Sequence, residues 1–433
     1  MTSGLLIYHS KLGKDAGTID EHIESFGRYS KCNIIKWNML HGPPPFNINF
    51  KFIVLHYSFP PDHYNLDYWL TNYLRDEKYW KETPKIAFFQ DEYHYCEERF
   101  NFINESNVNY VYSCVPERSL NEIYGKNTNA EFLFESLTGY VEDSLIDSAN
   151  ALRKPFDQRS IDIGYRARPL PYYNGRGAQE KTRIGEQFIE LVDDPNLELD
   201  IKMGEEDRIY GKDWHRFIAN CNGMLGVEAG TSIFDIDGTA EAKCNAYLAQ
   251  HPDASFEEVH EAVLEPYEDK VFYRTISPRA FECAAFKTCM ILFEGSYNGI
   301  LEPHKHYIPL KKDFSNLDQV LKTFNDEDKR NQIVENAYED LIASGEYSYK
   351  KFIEDFDTTL NLTSSDSWKD RLKLYLVEQM LGLFKKLGQI KYFLKLILNL
   401  VRPPLERLEM RVRFYFAVSL FILKNISFIL KNK

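Results

Sequence analysis

The chain has 433 residues, of which 44% are hydrophobic and 15% aromatic, and a formal net charge of −13. That composition excludes a disordered chain, and the length allows two or three domains. Residues 371–433 hold 13 Lys and Arg against three Asp and Glu, leaving residues 1–370 at a net −23, so no nucleic-acid partner is expected for the acidic body and the basic end has a separate task.

"MTSGLLIYHSKLG" opens the chain with a four-residue apolar core and no basic lead, so it predicts a first strand rather than a signal peptide. Further strands are predicted at 32–37, 50–58, 85–91, 108–115 and 131–136, with helical segments between them such as 18–30 and 66–80. This alternation specifies an α/β class with a parallel, doubly wound sheet over residues 1–150. The polar segment 151–160, with Pro155, reads as a linker. The alternation restarts over 159–356. Strands are predicted at 160–168, 197–203, 223–229, 270–276, 289–294 and 306–310, with helices near 179–192 and 212–221 and one long helix over 326–356. Two Rossmann-like domains facing a cleft are the economical architecture, and ligands of such sheets bind beyond the carboxyl ends of the strands.

After residue 366 the pattern changes. Leu376, Leu383, Leu387, Ile390, Leu394 and Ile397 form one helical stripe among lysines, and a second basic, aromatic stretch follows Pro403 and Pro404. Residues 366–433 are therefore expected to form amphipathic helices that lie on an anionic membrane surface or pack against protein. No apolar run reaches about 18 residues, the length needed for a spanning helix. The seven cysteines are scattered and never spaced C-x-x-C, which points to reduced thiols in a cytoplasmic protein, without zinc or a disulfide framework.

Three constellations fall at predicted strand ends. "GYRARPLPYYNGRGAQEKTRIGEQF" (164–188) places Arg166 and Arg168 after a strand, ahead of a helix carrying Lys181, with Arg176 and Arg183 nearby. Arginines facing a helix N-terminus suit a phosphate group. "FFQDEYHY" (88–95) places Asp91 and Glu92 at a strand end, either as a general base or as a helix cap; His56 ends another strand. In "ISPRAFECAAFKTCMIL" (276–292), Ser277 can cap a helix, while Glu282 either pairs with Arg279 one turn away or accepts hydrogen bonds from two vicinal hydroxyls. "GVEAGTSIFDIDG" (226–238) adds Glu228, Asp235 and Asp237 in a Gly-rich loop.

On these motifs the chain resembles the GT-B-fold glycosyltransferases of bacterial surface-polysaccharide pathways. The resemblance implies a second domain that binds a nucleotide sugar, with Arg166, Arg168, Lys181 and Arg279 around the diphosphate, Glu282 on the ribose and Ser277 among the donor-binding residues. It implies no cofactor and no metal, a glycan or lipid-linked acceptor, and a cytoplasmic enzyme held at the inner face of a membrane. A base from the first domain would activate the acceptor, with Asp91, Glu92 and His56 as candidates and Glu228 as a further one. Retaining members carry a second Glu eight residues before the ribose Glu. Here that position is Arg274, which leaves the anomeric outcome open, along with an inactive binding protein or a nucleotide-sugar epimerase as alternative functions.

Overall fold

The computed structural model describes residues 3–10, 17–41, 50–59, 83–94 and 96–362. The helix expected over 66–80 and the amphipathic segment 366–433 lie outside these residues.

The first sheet has six parallel strands: β1 (Ser3–Tyr8), β2 (Asn33–Asn38), β3 (Phe52–Leu55), β4 (Lys85–Phe89), β5 (Tyr110–Ser113) and β6 (Phe132–Glu135), in the order β2-β1-β3-β4-β5-β6. The central strands are apolar at nearly every position because both faces are covered: Leu5, Leu6, Val54, Leu55, Ile86 and Val111 are fully buried. Helix α1 (Gly17–Tyr29) covers one face with Ile23 and Phe26.

The second sheet has five parallel strands: β7 (Ile161–Arg166), β8 (Leu199–Lys202), β9 (Cys221–Gly226), β12 (Cys289–Phe293) and β13 (Ile308–Leu310), in the order β13-β12-β9-β7-β8. Gly164 is required where β7 meets its neighbours, since a Cβ there would lie 2.5 Å from the Cys221 sulfur. The two-sheet α/β architecture expected from the alternation is present.

Three features depart from the sequence pattern. Residues 270–276 supply no strand to the parallel sheet; β11 (Tyr273–Thr275) instead pairs antiparallel with β10 (Ala229–Thr231). Between β10 and β11 the chain makes a helical excursion with its own small core of Ile233, Ala240, Cys244, Phe256, Val259 and Leu264. The long helix expected over 326–356 is broken in two: Glu327–Tyr338 continues through a π-helical turn, Glu339–Ala343, and a second helix spans Tyr349–Thr359. Gly345 sits between them at φ +74°, and Ser348 caps the second helix by accepting from Lys351 N at 3.1 Å.

The chain passes between the two sheets twice. Helix Asp143–Leu152 buries Leu145 and Ala149 among Phe217, Ile276 and Met290 of the second sheet's surroundings. Helix Tyr349–Thr359 returns to the first sheet, burying Tyr349, Ile353 and Phe356 against Phe26, Val54 and Phe88. The two passages run side by side, with Val141 N bonded to Tyr347 O at 2.8 Å and Tyr349 N to Val141 O at 3.0 Å.

Candidate functional site

A cleft of about 600 Å³ lies at the carboxyl ends of both sets of strands. The first sheet's side contributes Gly17, Thr18 and Glu21 from the start of α1, and Asp91 and Tyr93 from the loop after β4. The second contributes the loop after β7, Lys181, Trp214, the turn after β9 and the start of α2 (Pro278–Ala285).

One wall is cationic. Lys181 is half-buried, and burial pulls its pKa down to about 8; Asp91 opposes that shift, while Arg274, Arg279 and Arg168 add repulsion. Arg168 is exposed at the rim and makes no hydrogen bond or ion pair among the described residues. The Arg279 guanidinium lies 5.4 Å from the Tyr165 ring and 5.2 Å from Trp214, aromatic faces that fix where its charge points. Arg166 also lines the cleft but is otherwise engaged. It donates to the carbonyls of Tyr165 and Asp200 at 2.8 Å, pairs with the Asp200 carboxylate at 2.9 Å and stacks on Phe217, so it buttresses the wall.

The phosphate site expected at the N-terminus of the helix after β7 is filled from within. In helix Arg176–Leu191 the Arg176 amide donates to Glu268 at 3.1 Å and the Gly177 amide to Ser232 Oγ at 2.7 Å. A carboxylate of the chain already occupies the place an anion would take. Arg176 turns to His260, and Arg183 bonds Gln187 on the exposed face.

The carboxylates divide sharply. Glu282 is half-buried in the cleft wall and accepts from Trp214 Nε1 at 2.8 Å, and among the described residues no ion pair joins it to Arg279. Ser277 caps α2 by accepting from Arg279 N at 3.4 Å, with Pro278 in the first turn. Glu228 lines the cleft, yet one of its oxygens accepts from Ser296 N at 2.9 Å and Tyr297 N at 2.8 Å, so it pins the turn after β12. Asp91 is exposed at the cleft with φ +52°.

That kink at Asp91 sends its neighbour the other way. Glu92 is fully buried and accepts from Ser113 Oγ at 2.8 Å, from Cys114 N at 2.7 Å and from Tyr124 OH. Burial outweighs these donors and raises its pKa. It is a structural carboxylate, not a base in the cleft. His56 is likewise fully buried; its Nδ1 bonds Ser58 at 2.9 Å and its ring packs 4.9 Å from His22. Burial lowers its pKa well below that of a free imidazole. His306 is clamped between Glu302 N and Asp340. Asp235 and Asp237 cap the helix Thr239–Gln250, by way of Ala240 N, Glu241 N and Thr239 N. Among the described residues no three His, Cys, Asp or Glu side chains gather to hold a metal ion.

Two cleft residues escape sequence reasoning. Trp214 holds Glu282 in place but looks like core because Phe217 and Ile218 follow it three and four residues later on the same helix face. Glu21 lines the cleft from α1, and its pKa is raised to about 7, by burial first and then by Glu282. A carboxylate of the first sheet thus faces a carboxylate of the second.

No family model and no curated protein matches the sequence. Solved structures are similar in part. An alpha-glucosyltransferase in complex with UDP and a 13-mer DNA is 8% identical, over 83% of this chain and 98% of that one, at TM-score 0.46. Anabaena HepE in complex with UDP and glucose is 11% identical, over 83% of this chain and 100% of that one, at 0.47. S. aureus TarM, with UDP, is 12% identical over 71% of this chain and 55% of that one, at 0.42. These are partial superpositions at low identity, and what the cleft can do follows from its own residues.

Proposed function

We propose that the chain is a glycosyltransferase that moves a sugar from a nucleoside diphosphate sugar to a glycan or lipid-linked acceptor. The observation that carries this is the setting of Glu282. Its carboxylate is oriented by Trp214, left unpaired by Arg279, and shares a wall with Arg168, Lys181 and Arg279. A carboxylate beside fixed cations matches a ribose joined to a diphosphate.

In the transfer, the acceptor hydroxyl attacks the anomeric carbon and the bond from that carbon to the phosphate oxygen breaks. The diphosphate leaves with the electron pair. Arg168, Lys181 and Arg279 are placed to stabilise the charge that builds there. The acceptor's proton passes to a carboxylate on the opposite wall, Asp91 or Glu21. A base whose pKa lies near 7, as at Glu21, balances proton affinity against the fraction ionised. Arg274, where retaining relatives of the suggested family carry a Glu, pairs instead with buried Glu180 at 3.4 Å.

We also assign residues 366–433 to an anionic membrane surface on the cytoplasmic side, where lipid-linked acceptors would be met. Among the described residues no helix is long and apolar enough to cross a membrane. Deleting 369–433 should abolish liposome association; unchanged association would sink this assignment.

The test of the cleft is calorimetric binding of UDP, ADP and GDP, followed by nucleotide release with a panel of sugar donors and with glycan, lipid-linked and DNA acceptors. Glu282→Ala removes two charge-assisted hydrogen bonds and should weaken the preferred nucleotide by about 100-fold. Unchanged affinity would overturn the ribose assignment. Tight binding without turnover on any acceptor would identify a binding protein instead.

A further inference from the structure

A second recess, of about 420 Å³, opens where the chain leaves helix Asp143–Leu152, and it shares no residue with the cleft. Its walls include Arg153, Lys154, Phe156, Arg159, Lys287 and Glu335. Four cations against one carboxylate are out of character for a body, residues 1–370, that is strongly acidic.

The partners of these cations are mostly neutral. Arg159 is buried and donates to the carbonyls of Lys154 at 2.9 Å, Cys221 at 2.8 Å, Phe286 at 3.2 Å and Lys287 at 3.2 Å. It therefore closes the end of α2 and the start of β9, and among the described residues no carboxylate pairs with it. Burial pulls its pKa down to about 10, with Arg153 and Arg330 adding repulsion. Lys154 is exposed and donates to Asn220 Oδ1 at 2.8 Å. Arg153 donates through Nη2 to Asn150 at 3.3 Å and lies 5.6 Å from the Tyr338 ring, which Lys287 also approaches at 4.4 Å, while its Nη1 is buried without a hydrogen-bond partner among the described residues. Lys287 pairs with Glu335, the one anion among the residues that line the recess.

A packing role explains Arg159. It does not explain why Arg153 and Lys154 gather around it, because like charges held together in a partly desolvated recess repel unless an anion joins them. We propose that this recess binds a phosphate or diphosphate ester, whose oxygens meet Arg153, Lys154 and Lys287 while Arg159 adds charge from beneath. A recess of about 420 Å³ has room for a phosphate with the group it esterifies. The assignment stands whether or not the cleft takes a nucleotide sugar.

The test is calorimetric titration of the full chain with inorganic pyrophosphate at low salt. Arg168→Glu reverses one of the cleft's three cations, so it should weaken the cleft component and leave the recess component in place. Lys154→Glu, at an exposed position, should weaken that component about tenfold or more, as expected for a charge-assisted contact. Arg153→Ala should act in the same direction, and Glu335→Gln, which removes the lining carboxylate, should tighten binding. Phosphatidylcholine vesicles with and without phosphatidic acid separate the sources. A phosphatidic acid dependence weaker in Lys154→Glu than in the wild type, the basic end being present in both, marks a lipid headgroup, and loss of pyrophosphate binding alone marks a soluble ester. If all pyrophosphate binding disappears with Arg168→Glu, or if Lys154→Glu and Glu335→Gln leave both ligands unaffected, the site does not exist.

Discussion

Replacing Glu21 with glutamine turns the two facing carboxylates of the cleft into a measurement. In the folded chain Glu21 holds its proton up to about pH 7, against an ordinary value of 4.5. Between those values the native state binds a proton that the unfolded chain has released. Stability from this group is therefore fully present below about pH 4.5 and is lost as pH rises through 7. Raising the pKa from 4.5 to about 7, at about 1.4 kcal/mol for each tenfold change in proton affinity, sets a ceiling near 3.5 kcal/mol, which solvent in the half-open cleft trims to roughly 2–3. The amide introduced by Glu21→Gln is neutral throughout, so the variant should match the wild type near pH 4, exceed it slightly at pH 5 and exceed it by that amount at pH 8. Denaturant unfolding of both proteins at pH 5, 6, 7 and 8 gives the comparison, and taking the difference cancels the other titrating groups. Because Glu282 is the second cause of the shift, Glu282→Gln should move the transition in that difference to lower pH. A gap between the Glu21→Gln variant and the wild type that is constant from pH 5 to 8 would refute the reasoning. If Glu21 also takes the acceptor's proton, turnover should rise with pH around 7 and be lost in the variant.

Other expectations follow from the same geometry. Lys181 is charged below about pH 8 and neutral above, so nucleotide affinity should fall between pH 7 and 9, and Lys181→Gln should flatten that profile. Glu92→Ala leaves Ser113, Cys114 and Tyr124 donors unpaired in the interior, costing about 3 kcal/mol or more and lowering Tm while nucleotide affinity is kept. A Glu92 with a role in the cleft would give the reverse, lost turnover with Tm unchanged. Gly177→Ala drives a Cβ into the Arg274 guanidinium, which must give up its pairing with Glu180; a loss of roughly 1–3 kcal/mol is expected from urea unfolding.

Much of the sheet structure is legible in the sequence because parallel strands covered on both faces read as unbroken apolar runs, such as "FIVL" and "CMILF". Residues 270–276 carry a shorter apolar run, "VFY", and mislead, since periodicity does not say which sheet a strand joins. The break at Gly345 is visible as a residue but not as a turn, because the flanking segments keep a helical pattern. In the cleft, the cations and Glu282 stand out because strand ends and helix starts point there. Glu92 and His56 are misplaced by that logic because a strand end also has an inside: one positive φ at Asp91 decides which of two adjacent carboxylates meets solvent. Glu21 escapes it because the like charge that faces it, Glu282 of α2, lies far away in sequence.

The helix Tyr349–Thr359 that closes the first sheet's core has a consequence for synthesis. The first sheet is complete at Glu135, yet Phe356 and Ile353, which cover Phe26 and Phe88, emerge some 220 residues later. At roughly 5–20 residues per second, the apolar face of that sheet waits about 10–40 s on the ribosome for its cover. During that interval it is a surface for chaperones, and a chain stopped before residue 349 would keep it exposed for good.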